Sequence, residues 1–287
     1  MKTDSIQFGR LVFFCVTLML IGCGTTEKEV YYEWQFDKNI ALDTLGPVGI
    51  AVVANQIWLA DVDHNRLVQI DTAGMILESL SNIERPMHIS SFNNQLLIPS
   101  YPSDSLAVYE NNRLSKEVLQ IQPDGFASIS KNNDFTAIAD FYNHKVYLIK
   151  GQQVQTLGGE GHTDAKMYYP ADVQIFDDTL YVADTYNNRV QIFDLDGNLI
   201  RILGQEQKIR ETTGLKVTTD EIFVTDFGGK RVLVFDKKGM IKQILTQSFD
   251  RPADIEILND KLFVVNYGGK SLSIYKRVAV EKNPPEN

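Results

Sequence analysis

Beyond residue 30 the chain alternates short apolar runs with clusters of turn residues. The clearest unit runs from Tyr169 to Gly204, YPADVQIFDDTLYVADTYNNRVQIFDLDGNLIRILG. Within it VQI, LYVAD, RVQIFD and NLIRILG are rich in β-branched and aromatic residues and partly alternate in polarity, the pattern of strands. DLDGN here, and DKKG further on, supply the Asp and Gly that tight turns use. No stretch after residue 22 carries a helical period.

The unit recurs. Its centre aligns without gaps to LADVDHNRLVQI from Leu59, IPSYPSDSLAVY from Ile98, IADFYNHKVYLI from Ile138, VTDFGGKRVLVF from Val224 and VVNYGGKSLSIY from Val264. The anchor position reads Asp61, Ser100, Asp140, Asp184, Asp226 and Asn266, at spacings of 39, 40, 44, 42 and 40 residues. A period near 40 means blades or solenoid turns. Four short strands per unit predict an all-β fold, a six-bladed β-propeller of four-stranded antiparallel blades, which limits exposed edges by radial repetition. The last unit lacks an outer strand. VYYEWQF, Val30 to Phe36, can supply it and close the ring, or can pack on the outside.

The first 22 residues read as an address. Lys2 and Arg10 precede the unbroken apolar run LVFFCVTLMLI, 11 to 21, which is short for a bilayer span. Leu20-Ile21-Gly22-Cys23 resembles the bacterial lipobox, which implies lipidation at Cys23; an uncleaved anchor or an ordinary signal peptide is the alternative. The predicted organisation is a signal peptide over 1–22, a polar tether over 23–29, the propeller over 30–280 and a polar tail over 281–287. Cys15 would leave with the signal, so Cys23 would be the one cysteine of the mature chain, without disulfides or a cysteine metal site. The net charge is −9, and −10 beyond residue 22. That repels a phosphate backbone, so nucleic acid is not an expected partner. The expected setting is the bacterial cell envelope, lipid-anchored, at the outer rather than the inner membrane, with the domain monomeric.

Pro170, Asp172, Val173, Tyr181 to Thr185 and Asn187 to Asp194 resemble the NHL repeat, and the likeness extends over about Gly46 to Tyr275. Copies two and six depart most, with Ser100 and Asn266 for Asp, and Ser105 and Ser271 for Arg. The family implies the propeller but not an activity. Its related propellers include sensors, RNA-binding modules and an amidating lyase with a histidine-held metal. Of the histidines here only His88 is placed for such a role; His64, His144 and His162 fall in turns or the linker and are expected to be solvated.

Asp61, Asp140, Asp184 and Asp226 recur in most copies and read as structural turn residues that accept backbone N–H bonds. At the start of the innermost strand the copies read PVGI, PMHI, PDGF, PADV, TTGL and PADI. The third position is then Gly49, His88, Gly125, Asp172, Gly214 and Asp254. His88, Asp172 and Asp254 fall in alternate blades and are candidate channel-mouth contacts for a ligand or a divalent cation. The alternative is that these side chains only brace nearby backbone. Turns after the second strand carry Tyr101, Phe141, Tyr142, Tyr186, Phe227 and Tyr267, a candidate aromatic binding face expected at the same end of the disc. No P-loop, nucleophile elbow or zinc-protease helix is present. Two functions therefore stand: a membrane-tethered binding or scaffold propeller for a protein or small-molecule ligand, and a metal-dependent lyase or hydrolase at the channel mouth, with catalytic residues unassigned.

Overall fold

The computed structural model describes residues Val30–Glu281. Cys23, the signal segment and the distal tail lie outside the described residues. Six four-stranded antiparallel sheets form the blades, and five run through consecutive strands. In blade four these are Pro170–Phe176, Thr179–Asp184, Arg189–Asp194 and Leu199–Leu203, from channel to rim. Blade six takes Pro252–Leu258, Lys261–Asn266 and Ser271–Glu281 from the C-terminal side and Val30–Ala41 as its outer strand. The propeller occupies the compact unit Tyr32–Ala279.

The closing strand is longer than VYYEWQF and is locked by polar bonds as well as packing. Trp34 is buried and meets Phe223 edge-on at 5.5 Å between ring centres. Its indole N–H donates to Glu221 at 3.0 Å, and its backbone exchanges two bonds with the Gln243 amide. Both partners belong to blade five, so the strand also holds blade six to its neighbour.

The apolar pattern follows from how blades stack. Each sheet is covered on both faces, so its middle strands need apolar residues at nearly every position. In Thr179–Asp184, Leu180 and Val182 enter the cluster shared with blade three, whereas Tyr181 and Ala183 enter the one shared with blade five. Clusters of this kind lie between all neighbouring blades, including six and one. The only helical turn among the described residues is Thr185–Asn187, a single 3-10 turn.

A bulge sets the channel lining. In blade four Pro170 pairs with Asp184 and Asp172 with Ala183, so Ala171 is an extra residue in the inner strand. The same irregularity recurs at Pro47/Gly49, Phe126/Ser128 and Pro252/Asp254. A bulge re-aims the following side chain, and the residue after it is the one that reaches the channel.

Candidate functional site

The structure brings His88, Asp172 and Asp254 together. One donor atom from each lies within 4.8 Å of the others, and all three residues are buried. The pairing register corrects one member of the ring. Ser128 pairs with Ala139 as Asp172 pairs with Ala183. The blade-three residue is therefore Ser128, not Gly125, and the ring reads Gly49, His88, Ser128, Asp172, Gly214, Asp254. Sequence motif matching slid onto PDG. Counting back twelve residues from each anchor, as from Asp184 to Asp172, finds Ser128 directly.

Small and ionisable residues alternate for a steric reason. A Cβ on Gly49 would meet the Met87 carbonyl and stand 3.2 Å from the His88 Cα. A Cβ on Gly214 would stand 2.7 Å from the Asp254 Cα. The side chain missing at one blade is the space into which the next inner strand fits.

The two carboxylates are held firmly. Asp172 accepts the Ser128 hydroxyl at 2.6 Å and the Val173 and Leu215 N–H groups at 2.8 Å each. Asp254 accepts N–H bonds from Ile255 at 2.8 Å and Ile50 at 3.0 Å. Each thus braces a neighbouring blade, the bonding role that sequence reading kept open. His88 differs. Its Nδ1 is buried without a hydrogen-bond partner, 3.5 Å from Asp254 Oδ2.

Charge is coupled across the trio. Burial pushes the Asp172 carboxyl up to about 6, although His88 and the Ser128 and Leu215 donors pull it down. Burial opposes a charge on His88 too, but the Asp254 carboxylate outweighs it and raises the imidazole above its ordinary value.

Free space adjoins the two carboxylates on the side away from the aromatic turns. This cavity, of about 130 Å³, is lined by Ser128, Asp172 and Asp254 and by the next tier along the inner strands, Ser90, Ser130, Gln174, Lys216 and Glu256. That tier lies further from the turns that carry the aromatics, and no aromatic side chain lines the cavity. A mouth shared with the aromatics was expected; the cavity beside the carboxylates is lined instead from further along the inner strands.

Four of the six predicted aromatics do gather. Tyr101, Phe141, Tyr142 and Tyr186 join Tyr168 and Tyr169 in one connected group. Tyr169 is its hub, with ring centres 4.9 Å from Phe141, 5.3 Å from Tyr186 and 4.7 Å from Tyr168. Tyr142 and Tyr186 are half-exposed, and the other members are partly covered. Phe227 and Tyr267 instead pack against the core between blades six and one. The next turn positions are glycines, Gly228 and Gly268, so no second ring continues the group there.

Sequence reading missed Tyr168 and Tyr169, although YYP preceding an inner strand was the available signal. Tyr169 takes the left-handed backbone (φ 57°) that Gly125 fills in blade three (φ 75°). Its N–H donates to His144 Nδ1 at 3.1 Å. His144 is buried and stacks on Tyr168, not solvated as its turn position suggested.

The anchors hold more than their turns. Asp61, Asp140, Asp184 and Asp226 accept N–H bonds at 2.7–3.0 Å from the segment entering the inner strand. Asp184 also accepts Asn187, Arg189 and Gln191 side chains. Arg189 and Gln191 in turn donate to the carbonyls of Thr163 and Lys166. This network fastens the long loop that delivers Tyr168 and Tyr169. Where Ser100 and Asn266 replace Asp, the Arg partner is replaced by Ser105 and Ser271, and the bonds become neutral.

Residues 167–193 match the NHL repeat. No curated relative matches by sequence. Among solved structures, a streptogramin B lyase superposes with a TM-score of 0.62 at 14% identity, over 90% of this chain and 88% of its own. A catalytically inactive virginiamycin B lyase from Staphylococcus aureus with quinupristin gives 0.60 at 14%, over 88% of each chain. At that identity the likeness carries the propeller fold and not the chemistry.

Proposed function

We propose that the chain is a lipid-anchored binding propeller of the cell envelope, and that its working surface is the tyrosine-rich face around Tyr169. The observation that carries this reading is the joined group of six aromatics with Tyr142 and Tyr186 half-exposed. Tyrosine offers large apolar area, a polar tip and few rotors, which suits recognition surfaces. Arg85, whose guanidinium lies 5.9 Å from the Tyr101 ring centre, adds a cation at its edge. The ligand is a protein segment or a small molecule, and the domain acts as a monomer. Glycan and peptide arrays probed with wild type and Tyr186→Ala test the face. Equal binding by both proteins would remove it. Metabolic labelling with a fatty acid, lost in Cys23→Ser, tests the anchor; membrane fractionation tests the outer-membrane setting. Among the described residues no helix is long and apolar enough to cross a membrane.

A second reading is a metal-dependent lyase or hydrolase at the channel trio. It is favoured by the buried His88–Asp172–Asp254 cluster; the lyases among the structural neighbours only suggest a substrate to try. Incubation with quinupristin and a divalent cation, followed by mass spectrometry, is the direct assay. An unchanged quinupristin signal removes that substrate.

A further inference from the structure

We infer that His88, Asp172 and Asp254 form a site for one divalent cation of the manganese or zinc class, with its open positions facing the channel cavity away from the tyrosine-rich face. The inference deepens the metal-dependent reading, but its test is binding and does not require turnover.

Spacing is the first support. His88 Nδ1 stands 3.5 Å from Asp254 Oδ2, too long for a hydrogen bond. Two ligands of one ion at about 2.1 Å each stand roughly 3–3.5 Å apart in tetrahedral or octahedral geometry. All three residues place a donor atom within 4.8 Å of the others, so small side-chain movements close the set.

The second support is the orphaned nitrogen. A buried polar atom without a partner is costly and uncommon. His88 Nδ1 has none in its neighbourhood except the carboxylate set. A cation would use that lone pair directly.

Lone-pair accounting leaves room for the ion. An ionised carboxylate offers about four acceptor positions. Asp172 uses three of these on Ser128, Val173 and Leu215, and Asp254 uses two on Ile255 and Ile50. Backbone donors fix both carboxylates in place, as outer partners do for metal ligands generally. One imidazole and two carboxylates suit manganese or zinc better than calcium, which takes six to eight oxygens.

The cavity supplies the remaining ligands. At about 130 Å³ it has room for several waters. Gln174 and Ser130 line it and can bond those waters. No aromatic side chain lines this cavity.

The test uses the full chain, purified and stripped with a chelator. Titration calorimetry with manganese and with zinc is expected to show one site per chain. A saturating excess of 100-fold over Kd is expected to raise Tm by at least about 5 °C. His88→Gln and Asp254→Asn are expected to weaken binding by 10-fold or more. Pulsed electron resonance of the wild-type manganese complex is expected to show coupling to a histidine nitrogen, a readout that needs no variant to fold. Absence of binding, absence of nitrogen coupling, or unchanged affinity in a folded His88→Gln protein would each overturn the assignment.

Discussion

Replacing Asp184 with alanine tests the link between the repeat and the tyrosine-rich face. Asp184 is fully buried and accepts the Tyr168 N–H at 2.7 Å, Arg189 Nε at 2.8 Å, and Asn187 and Gln191 amides at 2.9 Å. The Arg189 side chain is 3% exposed, so water cannot replace the lost carboxylate. Removing one partner of a buried ion pair costs about 3–5 kcal/mol, which for a domain of this size lowers Tm by roughly 6–20 °C. Asp61→Ala is the internal comparison. Its partners Arg66 and His64 are 25% and 49% exposed, and water takes over much of their bonding. We expect about 1–2 kcal/mol there. Denaturant melts measure both losses, and near-ultraviolet dichroism reports the tyrosine packing. Asp184→Ala should lose tyrosine signal under native conditions, because Arg189 and Gln191 no longer hold the loop that carries Tyr168 and Tyr169. Equal destabilisation by the two substitutions, or an intact tyrosine signal in a folded Asp184→Ala protein, would refute the reasoning.

Other expectations follow from the same geometry. Gly214→Ala puts a Cβ 2.5 Å from the Ala253 carbonyl oxygen and 2.7 Å from the Asp254 Cα; overpacking of this kind costs about 1–3 kcal/mol, and a Tm equal to wild type would contradict the steric account of the alternation. Ser128→Ala removes a buried donor to a carboxylate at 2.6 Å and should cost about 1.5–3 kcal/mol in a chemical melt, a loss that Gly125, the residue that motif matching selects, would not explain. The folded Asp172 value of about 6 exceeds the ordinary 3.8, so its contribution to stability is present below pH 3.8 and is lost as pH rises through 6. His88, also raised, contributes below its ordinary 6.5 and loses that as pH rises through its folded value. In chelator, Asp172→Asn should therefore gain on wild type as pH rises from about 3.5 to about 7.5; parallel pH profiles for the two proteins would exclude a raised Asp172.

Much of the fold was legible in the chain because a propeller is a local pattern repeated. The anchors recur at a near-constant spacing, and each blade is built mainly from neighbouring strands. Strand polarity and turn chemistry therefore suffice for six all-β blades. The closing role of Val30 to Phe36 was legible because the last repeat lacks an outer strand; its extension to Ala41 was not. His88, Asp172 and Asp254 were legible as departures from a repeat.

Tertiary structure decided what depends on register and depth. In blade three a Pro-Asp-Gly sequence stands three residues before the true ring position and mimics the motif, so the motif points to Gly125 where pairing points to Ser128. Tertiary structure likewise decided that the cavity next to the trio lies along the inner strands on the side away from the tyrosines. Tyr168 and Tyr169 join the exposed face only because Asp184, Arg189 and Gln191 hold a loop from across the blade. Local sequence carries the period and the polarity of each strand; which distant atoms meet is set by how the six sheets pack around one axis.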